Sequence, residues 1–131
     1  MLCTGNSCRS QLAEALIGRA GGEGVTVASA GTHPAGVNPL TIRTLAEVGI
    51  DWSHARSKSM AEYLDQSFDL VITVCDDAAE ACPVFPGAGR RLHRAFFDPS
   101  WVAGTEQDRL GAFRATRDEI AAWATELVGG L

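Results

Sequence analysis

The chain is expected to fold as one α/β domain over residues 1–131, a three-layer sandwich whose central parallel sheet of about four strands carries helices on both faces. Short apolar runs of strand length alternate with stretches of helical periodicity, and no repeat, linker or low-complexity segment interrupts them. Asp69–Cys75 is a continuous apolar run, the pattern of a strand buried on both faces.

Each element follows from local signals. Met1–Ser10 is a polar turn after a very short strand, and it leads into a helix with Leu12, Ala13, Leu16 and Ile17 on one face that stops near Gly21–Gly22. Val25–Ala28 reads as a strand ending at Ser29–Gly31. Asn38 caps a second helix and Pro39 starts it, with Ile42, Leu45 and Val48 turned inward and Gly49 as the stop. Ser59 and Glu62 have the spacing of a capping box for a short helix through Leu64. Arg91–Phe97 is a weaker strand, and Thr105 opens a long helix with Leu110, Phe113, Ile120, Ala124 and Leu127 on one stripe up to Gly129.

Composition narrows the function. Eleven basic against sixteen acidic residues give a net charge of −5, which argues against affinity built on nucleic-acid phosphates. The strongly apolar stretch at Leu70–Cys75 is far short of the ~20 residues that span a bilayer, and the first residues do not show a basic segment followed by an apolar one, so no secretory leader is expected. A cytoplasmic protein is expected, with no nucleic acid and no membrane among its partners.

Four cysteines in such a compartment point to catalysis, metal or burial rather than permanent disulfides. Ligands of an open α/β sheet bind outside the carboxyl ends of its strands, where Cys3, Ser29, Cys75 and Asp98 all fall. Cys3 and Arg9 bracket five residues that pass directly into a helix. The backbone N–H groups of Thr4, Gly5, Asn6, Ser7, Cys8, Arg9 and Ser10 are thereby suited to a tetrahedral oxyanion. Gly5 and Asn6 are the residue types that tolerate the positive φ such a loop needs. Cys3 in that positive field is a candidate nucleophile, and the Arg9 fork can hold two anion oxygens at once. An ordinary capped turn is the alternative.

Cys75 and Cys82 are seven residues apart across a segment of helix formers. In a helix they would share a face ~10 Å apart along the axis, so a bond between them requires unwinding. A buried strand-end cysteine with an incidental neighbour, or a zinc site, are the other readings; the spacings Cys3-x4-Cys8 and Cys75-x6-Cys82 are loose for zinc, and no metal is expected. Asp98, placed before Pro99 after the last strand, is the candidate general acid, although an Asp-Pro pair alone is more often a turn. His33, His54 and His93 are read as surface residues, and Trp52, Trp101 and Trp123 as packing residues.

The segment Cys3-Thr4-Gly5-Asn6-Ser7-Cys8-Arg9-Ser10-Gln11 resembles the anion loop of the low-molecular-weight tyrosine phosphatase superfamily, and within it the thioredoxin-coupled arsenate reductases. The resemblance continues through Ser29–Gly31, Val37–Pro39, Val71–Cys75, Cys82-Pro83, Phe97–Pro99 and Arg117–Ile120, nearly the whole chain. It implies reduction of arsenate to arsenite without a cofactor. Cys3 is then the nucleophile, Arg9 holds the anion, Asp98 is the acid, Cys75 and Cys82 form the shuttle disulfide, and thioredoxin is the electron donor. Phosphate and sulfate are implied competitors, and a monomer is expected. A small-substrate phosphatase needs neither Cys75 nor Cys82 and remains the alternative function. Cys8 is implied to be dispensable for turnover.

Two departures from the family carry expectations. Some members seat a potassium ion on groups matching Asn6, Glu14 and Ser29 and on the segment here reading Arg56-Ser57-Lys58, where Lys58 can supply the charge instead, so no potassium requirement is expected. The family also has several apolar residues ahead of the loop cysteine where this chain supplies Met1-Leu2. A natural start upstream is expected, and for the 131-residue form lowered stability or strand exchange.

Overall fold

A computed structural model describes residues 1–74 and 85–131. Cys75, Cys82 and the helix expected between them lie outside the described residues. The sheet has four parallel strands in the order β2-β1-β3-β4, with β1 at Leu2–Cys3, β2 at Ala30–Gly31, β3 at Phe68–Thr73 and β4 at Ala88–His93. Helices α1 (Arg9–Gly21), α2 (Pro39–Ala46) and α3 (Glu106–Gly129) complete it.

The main core lies on one face, where Leu12, Leu16 and Ile17 of α1 and Ile120 and Ala124 of α3 meet Ile72, Val74 and Phe96. Opposite, Leu2, Ala30, Val71 and Phe85 pack with Met60 and Tyr63 of a 3₁₀ turn over Met60–Tyr63. A third cluster joins Cys8 of the anion loop to Leu40 of α2 and to Leu110 and Phe113 of α3. The loop is therefore packed from beneath by two helices.

Local chemistry explains most boundaries. The Asn38 side chain accepts from Leu40 N at 2.9 Å, and Thr105 and Asp108 form a reciprocal capping box for α3. Gly49, with φ of +85°, ends the turn after α2. Ser59 caps its turn through Ala61 N, and the Glu62 carboxylate, paired with Arg56 at 2.7 Å, also takes a hydrogen bond from the Ser59 backbone, as the capping-box spacing predicts. The inward face of α2 is Leu40, Thr41, Thr44 and Leu45, while Ile42 and Val48 are half-buried. The threonines are tolerated inside because Thr41 Oγ1 donates to Ser7 O and Thr44 Oγ1 to Leu40 O. The last strand begins three residues earlier and ends four residues earlier than its apolar pattern suggested, so Asp98 follows β4 after an irregular segment.

Val25–Ala28 is not a strand. The ladder with β1 joins Leu2 to Ala30 and Cys3 to Gly31, and Val25–Ala28 lies outside it. The Met1 amino group donates to Ala28 O at 2.8 Å and Met1 O accepts from Ala30 N; before that pair, Val25–Ala28 and Phe68–Leu70 face each other across a cavity of about 850 Å³. Burial pushes the Met1 amine down to about 6.

Fusing five β-branched and aromatic residues ahead of Met1 is expected to raise the melting temperature by several degrees. Each buried large apolar side chain contributes roughly 1.5–3 kcal/mol against about 1–2 kcal/mol of backbone ordering, and the added strand also pairs both ladders. Thermal unfolding alongside size-exclusion chromatography checks this; an unchanged transition in a monomer contradicts it.

Candidate oxyanion site

β1 delivers Cys3, 3% exposed, to the carboxyl edge of the sheet, and α1 begins six residues later. Between them the chain turns its carbonyls outward. Thr4 O accepts from His33 N at 2.9 Å, Gly5 O from Ala35 N at 2.9 Å and from Ser57 Oγ at 2.9 Å, and Asn6 O from Ser57 Oγ at 2.9 Å. Ser7 O accepts from Asn38 N at 3.2 Å and Thr41 Oγ1 at 2.9 Å. The N–H groups of Thr4 to Cys8 find no protein acceptor among the described residues. Donors held inward at a helix start, with all the opposing acceptors engaged, form a concave nest for an anion.

One residue makes this possible. Asn6, fully buried, has φ of +47°, and it is the left-handed residue that reverses the direction of the amides. Gly5 does not adopt positive φ; Asn6 alone supplies the bend expected of both. Gly31 matters instead, because a Cβ there would collide with Thr4 O and Asn6 N.

Arg9 lies beneath the loop, 2% exposed, with Nη1 donating to Phe96 O at 3.3 Å and Nη2 to Asp98 Oδ2 at 3.4 Å. The other Asp98 oxygen accepts from Ser100 N at 3.0 Å and Ser100 Oγ at 2.7 Å, which caps the 3₁₀ turn Pro99–Trp101. One oxygen of Asp98 is thus spent on its own turn and the other faces the guanidinium. Cys8, 6% exposed, is packed against α2 and α3, and burial pushes its thiol up to about 11.

The structure therefore brings Cys3, Thr4, Gly5, Asn6, Ser7, Cys8, Arg9, Ser10 and Asp98 to one rim. Sequence reasoning gave no loop-holding role to Gln11, five positions from Asn6, or to Thr41 and Ser57, which reach the loop from 34 and 52 positions away. Trp52 and Trp123 pack as expected, Trp123 against Phe96 at 5.4 Å. Trp101 does not: it is 58% exposed beside Phe97, 53% exposed, with ring centroids 6.3 Å apart on either side of Asp98. A three-residue turn closed by Asp98 leaves both rings no core to enter. His33, His54 and His93 are exposed.

Beside the loop, Ser29 Oγ donates to Glu14 Oε1 at 2.7 Å, and Lys58 Nζ lies 3.4 Å from that same oxygen and 3.3 Å from Arg56 O. An ammonium already among these oxygens does not suit a potassium ion as well.

An α/β sheet with an amide nest, an arginine and a carboxyl at its carboxyl edge defines the class of phosphatase-type enzymes that handle tetrahedral oxyanions. The chain belongs to the low molecular weight phosphotyrosine protein phosphatase family, whose model matches residues 1–128. It is 44% identical over 119 residues to an arsenate reductase of Halalkalibacterium halodurans, covering 91% of this chain and 86% of that one. Among solved structures it resembles the arsenate reductase of Archaeoglobus fulgidus (TM-score 0.81, 28% identity, 98% of this chain and 96% of that one). It also resembles a thioredoxin-dependent arsenate reductase of Corynebacterium glutamicum (TM-score 0.72, 28% identity, 98% of this chain and 57% of that one). No described helix is long and apolar enough to cross a membrane.

A thiol whose pKa is raised stays protonated at neutral pH. Iodoacetamide at pH 7 is thus expected to leave Cys8 unmodified in the folded protein, with peptide mass mapping as the check. Replacing sodium by potassium at constant ionic strength is expected to leave phosphate affinity unchanged, measured by calorimetry; potassium-specific tightening contradicts the assignment of Lys58.

Proposed function

We propose that the protein reduces arsenate to arsenite by a three-cysteine mechanism with thioredoxin as the electron donor. The observation that carries this reading is the run of backbone amides from Thr4 to Cys8 that donate to no protein group among the described residues, following the buried Cys3 and leading to the buried Arg9. The cysteines at positions 75 and 82 distinguish a reductase from a plain hydrolase.

Arsenate binds with its oxygens on the loop amides and Arg9, whose planar fork spans two of them. The Cys3 thiolate attacks arsenic. Asp98, held beside Arg9, delivers a proton to the departing arsenate hydroxyl, which leaves as water as the Cys3–arsenic bond forms. Cys75 then attacks the Cys3 sulfur. The sulfur–arsenic bond breaks with its electron pair remaining on arsenic, which departs as arsenite, and a Cys3–Cys75 disulfide forms. Cys82 attacks Cys75 and releases Cys3 as a thiolate; the dithiol of thioredoxin reduces Cys75–Cys82 and becomes a disulfide itself. Electrons balance at two per arsenate. Phosphate, isosteric with arsenate, competes for the loop, as sulfate does. Slow phosphoester hydrolysis follows from Cys3, Arg9 and Asp98 alone. The enzyme acts as a cytoplasmic monomer, and its physiological role is arsenic detoxification.

Mixing fully reduced protein with equimolar arsenate, without thioredoxin, is expected to yield about one arsenite per chain and a Cys75–Cys82 bridge. No arsenite with all four thiols free overturns the reading. Asp98→Asn is expected to slow arsenite formation by ~100- to 10,000-fold. Cys82→Ser is expected to abolish thioredoxin-driven turnover while sparing hydrolysis of a small phosphoester, and loss of both activities would point to a folding role for Cys82.

A further inference from the structure

The Asn6 conformation is maintained by a directional run of hydrogen bonds that begins outside the loop. Trp52 Nε1 donates to Gln11 Oε1 at 2.8 Å. Gln11 Nε2 then donates to Asn6 Oδ1 at 2.9 Å, to Asn6 O at 3.2 Å and to Arg56 O at 3.0 Å. Asn6 Oδ1 also accepts from Lys58 N at 2.8 Å, so its amide nitrogen is the end that faces Ser10 Oγ and Ser29 Oγ, each at 2.9 Å. Gln11 and Asn6 are fully buried.

We propose that Trp52 is a positioning residue for the oxyanion loop, acting through the Gln11 amide to keep Asn6 left-handed and the loop N–H groups pointed inward. The inference rests on the oxyanion-site reading and deepens it. An indole N–H can only donate, so it satisfies the Gln11 oxygen in the one orientation that turns the amide NH₂ group towards Asn6 and Arg56. Without that donor, Gln11 Oε1 is a buried acceptor with its partner removed. Relief comes by swinging the side chain towards water, which withdraws two hydrogen bonds from Asn6 at once. A left-handed Asn persists only where its surroundings overdetermine it, and Gln11 makes two of those contacts. Trp52 also packs against the core, so its ring and its N–H have separable effects.

The test is inorganic phosphate affinity by calorimetry, with melting temperature recorded in parallel, for wild type, Trp52→Phe, Gln11→Met and the double variant. Trp52→Phe keeps an aromatic ring and removes the donor. It is expected to weaken phosphate binding about three- to tenfold, the range one net hydrogen bond represents. Gln11→Met is expected to weaken binding at least as much, and adding Trp52→Phe to it is expected to change affinity no further, because the tryptophan acts through the glutamine. Unchanged phosphate affinity in folded Trp52→Phe, even with a lowered melting temperature, overturns the inference and leaves the oxyanion site standing. Additive losses in the double variant overturn it too. Should Gln11→Met not fold, Trp52→Phe decides alone. A wild-type protein that binds no phosphate overturns the oxyanion-site reading itself, and this inference with it.

Discussion

An anion loop works only if several consecutive amides point the same way, and a peptide chain resists this because each N–H inward requires a carbonyl turned outward to a donor of its own. In this protein every such carbonyl from Thr4 to Ser7 finds one, in His33, Ala35, Asn38, Thr41 or Ser57. The reversal is concentrated at Asn6, the one described non-glycine residue with positive φ. The parallel sheet sets Gly31 against the loop, where a side chain would not fit. Much of the remaining architecture serves to hold these donors in place.

Helix α2 illustrates the dependence. Its Thr41 clamps Ser7, so the loop is only as fixed as the helix. The chain after α2 is tied to α3 by Glu47, which accepts from Arg114 at 2.6 Å and from Arg117 at 2.9 Å, while Arg117 also donates to Thr44 O. Arg114, and then Arg117, hold the Glu47 carboxyl down at about 2, far below the usual range, so this tie stays charged at all ordinary pH. Cys8, Leu40, Leu110 and Phe113 close the same junction with apolar contact. The arginine beneath the loop is anchored similarly, between the Phe96 carbonyl and Asp98. Its burial strengthens any charge interaction it makes, because little water is present to screen it.

The strand β3, the caps at Asn38 and Thr105, and the loop from Cys3 to Ser10 were all legible because each is a local pattern. Readings that required a partner fared worse. Val25–Ala28 has strand composition and is not a strand, since extended residues become one only beside a neighbour, and β1 is two residues long. Phe97 and Trp101, apolar by type, stand exposed on either side of Asp98 because a short capped turn holds them there.

The chain by itself carries the groups that the proposed chemistry requires: a thiol and a guanidinium bracketing five residues, a carboxyl before a proline, and two further cysteines in a fixed order. These are properties of residue type and spacing, which survive any fold that presents the loop at a helix start. Only the tertiary structure decided what holds that loop open. The donors that turn its carbonyls outward, and the run from Trp52 through Gln11 to Asn6, join residues up to 52 positions apart. Such contacts leave no periodicity in sequence, because a hydrogen bond depends on where two groups meet in space and not on how far apart they lie along the chain.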